Sequence, residues 1–100
     1  MTINITEQEG MMNIALCGDL DNTASRKAEK EMKPVFEQTD KDVRIDCSEL
    51  DYISSSGMRI LLNIYKHQRA NGHRAIISNI KEDVEETFTL VGFMKLFDRE

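Results

Sequence analysis

The chain is poor in the residues that build metal, redox and disulfide sites. It has two cysteines and two histidines in 100 residues. Cys17 and Cys47 stand apart, with no CxxC pairing, which argues against a disulfide scaffold, a zinc knuckle or a redox dithiol. Both read as small buried hydrophobes. His67 and His73 have no cysteine or carboxylate at metal-ligand spacing, so they read as solvated surface, and neither a metal nor a cofactor is expected. No apolar run approaches the roughly 18 residues of a membrane span. Met1 to Ile5 lacks a basic region followed by a hydrophobic stretch and a cleavage site, so the cytoplasm is the expected compartment. Positive charge is scarce as well: 13 Lys and Arg against 18 Asp and Glu give a net charge of −5. Nucleic acid and anionic membranes reward clustered basic residues, which leaves a protein or a small ligand as the partner.

What is present is an ordinary globular mixture, 40% hydrophobic and 31% charged, of a length that suits one domain over residues 1–100. Ile3 and Ile5 alternate with polar residues, as do Met12, Ile14 and Leu16, so Thr2 to Thr6 and Met12 to Cys17 are expected as strands. Glu7 to Gly10 fits the turn of an antiparallel hairpin. Gly18 to Thr23 is expected to end the second strand, with Asn22 or Thr23 capping the next helix. That helix carries Ala24, Ala28, Met32, Val35 and Phe36 at helical spacing, and Pro34 should kink it or end it early. Val43 to Cys47 alternates as a third strand, and Ser48 to Gly57 reads as a loop. Met58, Leu61, Leu62 and Tyr65 form the stripe of a second helix, stopped by Asn71-Gly72. Arg74 to Ser78 is a fourth strand. Glu82 or Asp83 opens a third helix carrying Val84, Phe88 and Val91 and closed by Gly92. Phe93, Met94, Leu96 and Phe97 form an apolar tail, strand or irregular, packed back on the core.

Strand, helix, strand, helix, strand from Met12 to Ser78 gives two right-handed crossovers and three parallel strands. The alternation within the strands implies that only one face of the sheet is covered. The expected fold is two-layer α/β: a mixed sheet of four to five strands, the first antiparallel and the rest parallel, with the helices on one face. The carboxyl ends of the parallel strands then share an edge that gathers Asp19, Asp21, Asp51 and the serine run, the edge where open α/β sheets meet their ligands.

Tyr52-Ile53-Ser54-Ser55-Ser56-Gly57-Met58 reads as the mouth of the second helix. A serine there can accept a hydrogen bond from an unpaired backbone amide, a purely structural cap. The same free amides and helix dipole tolerate a phosphoryl group, which would make the site a switch. A bound phosphate ligand is a third possibility, but no GxGxxG or GxxxxGK[ST] pattern flanks the loop. Nucleophilic catalysis by Ser55 would need a base, and neither histidine is expected nearby, so the reading is of a protein that is not an enzyme.

Gly18-Asp19-Leu20-Asp21 after a strand, then Val43 to Leu62 with its serine run, resemble the STAS domain family, in particular the bacterial anti-sigma factor antagonists. The similarity continues through Thr89 to Phe97 and covers nearly the whole chain. The resemblance implies partner switching: an anti-sigma factor that is also a serine kinase binds the unphosphorylated antagonist and releases its sigma factor. Phosphorylation then ends the association, and a phosphatase resets it. The serine two positions before the motif glycine is the target, here Ser55, with Ser54 and Ser56 as lesser candidates. Asp19, Asp21, Asn22, Ser54, Ser56, Gly57 and Met58 would form the partner surface. Many phosphorylated antagonists have Asp where this chain has Ser54, and leucine where it has Met58. The alternative is a constitutive docking subunit of a transporter or signalling complex without phosphorylation.

Overall fold

The computed structural model describes residues 1–100 and contains one five-stranded sheet in the order β1-β2-β3-β4-β5. Strands β1 (Thr2–Gln8) and β2 (Met11–Leu20) pair antiparallel. Glu9 and Gly10 both have positive φ, 53° and 76°, the backbone of a two-residue turn whose twist matches that of its strands. β3 (Asp42–Ile53), β4 (Ala75–Ser78) and the two-residue β5 (Asp98–Arg99) add in parallel. The apolar tail therefore contributes a 3-10 turn (Phe93–Lys95) and then an edge strand.

The first helix breaks where proline required. α1 (Asn22–Glu31) ends at Met32, and a separate short α2 (Lys33–Glu37) carries Pro34 in its first turn, where its missing amide costs no helical bond. α3 (Ser55–Ala70) follows β3, and α4 (Glu82–Leu90) follows β4. A single cluster of 21 buried residues joins the inner face of the sheet to the helices, with Ile14, Leu16, Leu20, Val43, Ile45, Leu61, Ile64 and Phe88 fully enclosed. Asn13, Ala15, Arg44 and Asp46, one position out of phase, sit half-buried on the other face.

Several expectations need correcting. β2 continues to Leu20 and β3 to Ile53, so Gly18 to Leu20 and Ser48 to Tyr52 are strand, not loop. Two irregularities hide this: β3 advances three positions, Asp46 to Glu49, while β2 advances two, Ala15 to Cys17, and then two, Leu50 to Tyr52, while β2 advances one, Gly18 to Asp19. The buried positions Cys47, Leu50 and Ile53 thus recur every third residue, and the two-residue alternation is lost. Val91 lies beyond α4 and is 53% exposed. Cys17 is only half-buried.

The histidines are not free surface groups. His67 Nε2 lies 2.6 Å from the Gln38 carbonyl, with its ring edge-on to Phe36, and His73 Nδ1 lies 3.0 Å from Asp42 Oδ1. Between them Gln68, 1% exposed, donates through Nε2 to the carbonyls of Lys41 (2.7 Å) and Arg74 (3.0 Å) and accepts from Gln38. This buried amide ties the end of α3 to the loops entering β3 and β4.

Candidate functional site

Two helix mouths open side by side because α1 follows β2, α3 follows β3, and those strands are parallel neighbours. The Ser54 amide donates to the Leu20 carbonyl at 2.9 Å, which fixes one mouth against the other. Each has a side-chain cap. Asp21, rather than the expected Asn22 or Thr23, accepts from the Ala24 amide at 2.8 Å. Ser54 Oγ accepts from the Gly57 amide at 3.1 Å. Both caps have extended backbone, as a residue entering a helix should.

The three serines are therefore unequal. Ser54 is 7% exposed and its hydroxyl is occupied by capping. Ser56 is half-buried, and Ser55, the first residue of α3, is exposed. Beneath them Gly57 packs against β2 and β3 with no room for a side chain. A methyl carbon built there would lie 2.8 Å from Leu20 Cγ and 2.9 Å from Ile53 Cγ1. Met58 is 7% exposed and belongs to the core. Of the residues singled out from the sequence, Asp19, Asp21, Asn22 and Ser55 are exposed, whereas Ser54, Gly57 and Met58 hold the mouth in shape from below.

Beside the mouths a shallow depression of about 660 Å³ brings Asp19, Asp21 and Asp51 together with Gly18, Thr23 and Lys27. The Ser78 to Lys81 loop was expected at this edge and Tyr52 opens the serine stretch, but two of their contacts were not read from the sequence. Lys81, from the turn before α4, pairs with Asp51; the hydrogen bond to that carboxylate raises the lysine's pKa. Tyr52, opposite Asp19 in the ladder, is 52% exposed. Both contacts span strands far apart in sequence, so local pattern could not reveal them.

The histidines hydrogen-bond to Gln38 and Asp42, at the opposite, entry end of β3, so no imidazole stands ready to take a proton from Ser55. No group of three or more His, Cys, Asp or Glu side chains converges in metal-ligating geometry. What the site offers is an exposed hydroxyl at the start of a capped helix, on the sheet edge where β2 and β3 also end with Asp19 and Asp51.

The chain belongs to the STAS domain family, whose model matches residues 2–99. Among its relatives is BtrV of Bordetella bronchiseptica, provisionally named an anti-sigma factor antagonist, 28% identical over 97 residues that cover 97% of this chain and 84% of BtrV. The unphosphorylated form of the anti-sigma factor antagonist SpoIIAA superposes with a TM-score of 0.81 at 20% identity, covering 99% of this chain and 88% of SpoIIAA. The phosphorylated form of Bacillus SpoIIAA superposes at 0.75 and 18% identity, covering 99% and 91%. At these identities the structures establish a shared fold. No helix is long and apolar enough to cross a membrane.

Proposed function

We propose that this chain is an anti-sigma factor antagonist, a non-catalytic binding protein whose docking is gated by phosphorylation of Ser55. The observation that carries this reading is the division of labour among the serines: Ser54 is spent on the cap, while Ser55 is exposed at the first position of α3. The relatives named as antagonists, and a fold shared with a protein known in phosphorylated and unphosphorylated forms, support it. The partner is a serine-kinase anti-sigma factor that transfers the γ-phosphoryl of ATP to Ser55 Oγ, with loss of the hydroxyl proton, and a phosphatase restores the hydroxyl. The expected setting is cytoplasmic, and the domain spans residues 1–100.

The switch follows from charge. A phosphate adds about −1.5 to −2 charges to an edge that already holds Asp19, Asp21 and Asp51. The dipole of α3 offsets part of that within this chain, by about 0.3–1 kcal/mol. A partner surface fitted to a neutral hydroxyl has no such offset, and like-charge contact at an interface costs several kcal/mol. Binding is lost while the fold survives.

Incubation with the cognate kinase and ATP, followed by peptide mass spectrometry, tests the site: phosphate on Ser55, abolished in Ser55→Ala and retained in Ser56→Ala, is expected. A Ser55→Asp variant that binds the partner with unchanged affinity would instead favour a constitutive docking subunit.

A further inference from the structure

The two lateral edges of the sheet are finished differently. At one, β5 has only two residues, and both side chains are held in ion pairs, Asp98 with Arg74 and Arg99 with Glu85. A short, charged edge offers little for another strand to pair with. At the other, β1 runs for seven residues, Thr2–Gln8, and keeps an unbroken register against β2. It contains no proline and no basic residue, and its one charge, Glu7, lies next to the turn. The devices that usually discourage edge-to-edge pairing, bulges, prolines and lysines, are all missing from it.

Hairpin geometry says which backbone groups of this edge are free. The turn at Glu9 and Gly10 closes on the pair Gln8 and Met11, so Thr2, Asn4, Thr6 and Gln8 direct their amides and carbonyls to β2. Ile3, Ile5 and Glu7 alternate with them and turn theirs outward. The side chains of Ile3 and Ile5 are half-buried on the helix side, where they line an open depression of about 350 Å³ with Lys27 and Glu31 of α1. That lysine and glutamate form an ion pair at 3.7 Å. Free donors and acceptors, an apolar stripe and one charge of each sign thus run along a single edge.

The sequence of β1 is complementary to itself. With a second β1 laid antiparallel around a two-fold axis at Asn4, Ile3 falls opposite Ile5 and Thr2 opposite Thr6, each twice, and Asn4 meets its own copy. Opposed β-branched residues stabilise an antiparallel ladder, and in this register the outward groups of Ile3 and Ile5 bond each other. A two-fold axis at Ile5 would instead set Ile3 against the Glu7 carboxylate.

We propose that β1 is a dimer edge whose occupant is the β1 strand of a second copy of this chain, joining two five-stranded sheets into one. The two-fold axis runs the α1 helices of the two copies in opposite directions on the same face. Lys27 of each copy then faces Glu31 of the other across the paired isoleucines. An isologous contact of this kind closes after two chains and does not propagate. Ser55 lines neither depression beside β1, so the dimer leaves the proposed phosphorylation site free.

The test is sedimentation velocity of the full chain from about 10 µM to about 1 mM, a range suited to a small, weak interface. The mass should move from monomer to dimer with no larger species. Ile5→Lys puts a charge on the inner side of the edge and should raise the dimer dissociation constant at least about tenfold. If that variant fails to fold, Ile3→Pro, which removes an outward amide and no bond to β2, should do the same. The register is read by cross-linking in a Cys17→Ser background. Directly opposed residues of a non-hydrogen-bonded pair have Cα atoms about 4.5 Å apart, within disulfide reach, so Asn4→Cys should oxidise to a covalent dimer and Thr6→Cys should not. The proposal is overturned if the chain stays monomeric at about 1 mM, if the edge variant that folds dimerises as well as the parent, or if Thr6→Cys cross-links and Asn4→Cys does not.

Discussion

Adding one methyl group at Gly57 should strain the joint between the two helix mouths. The backbone there is helical, so alanine can adopt it, and in isolation the change would favour α3 by up to about 1 kcal/mol through helix propensity. The obstacle is space. The new carbon would sit 2.8 Å and 2.9 Å from Leu20 Cγ and Cδ2 and 2.9 Å from Ile53 Cγ1, distances that require movement. Leu20 is fully buried and Ile53 is 4% exposed, so neither side chain has solvent to retreat into. Overpacking costs about 1–3 kcal/mol; three contacts under 3 Å with buried side chains put this case in the upper part, about 2–3 kcal/mol, which leaves a net destabilisation of about 1–2 kcal/mol after the propensity gain. For a 100-residue domain that corresponds to a fall in Tm of about 4–15 °C. Calorimetry of Gly57→Ala, with Leu20→Ala and the double variant alongside, is the assay. Because Leu20→Ala removes two of the three clashing atoms, Gly57→Ala should cost less in that background than alone, and the double-variant cycle should show coupling. An unchanged or raised Tm in Gly57→Ala, or strict additivity in the cycle, would refute the packing account.

The remaining expectations concern the opposite end of the sheet and the thiols. Asp42 is held below the usual carboxylate value of 3.8, chiefly by the Arg74 amide, with burial opposing and His73 assisting. Its contribution to stability is therefore present above pH 3.8 and lost as pH falls through the lower folded value, so Asp42→Asn should flatten the acid limb of a stability–pH curve in that range. Gln68→Leu leaves the Lys41 and Arg74 carbonyls and the Gln38 amide without their partner, and urea unfolding should show a loss of about 1–3 kcal/mol. Burial, with Asp46 adding to it, pushes the Cys47 thiol up to about 12. Alkylation of the native protein at pH 8 should spare Cys47 and confine label to Cys17, and mass spectrometry of the digest reads this directly.

How much of this was legible depends on whether the signal was local. The hairpin, the break at Pro34 and the stop at Asn71-Gly72 each follow from the conformational limits of one or two residues, and the structure has them where expected. The parallel order followed from counting crossovers. The second half of β3 was illegible because its two irregularities convert an alternating pattern into Cys47, Leu50 and Ile53, and only pairing with β2 makes that segment a strand. Asp21 was passed over as a cap because the end of β2 was placed too early. The histidines read as solvated surface and Gln68 drew no reading at all, since their partners at Gln38, Lys41 and Asp42 are far away in sequence. At the candidate site the serine run, its glycine and the aspartates were readable. Which serine is free to act was not, because that depends on the Ser54 Oγ to Gly57 amide bond.

The central claim is that a partner reads the uncharged Ser55 hydroxyl at the mouth of α3. The direct measurement is calorimetric titration of the cognate anti-sigma factor with this protein, unmodified and stoichiometrically phosphorylated on Ser55, with circular dichroism recorded on both forms. An affinity loss of about 100-fold or more, the equivalent of some 3 kcal/mol, with superimposable spectra, is the expected result. Equal affinities, or a loss of binding accompanied by unfolding, would contradict it.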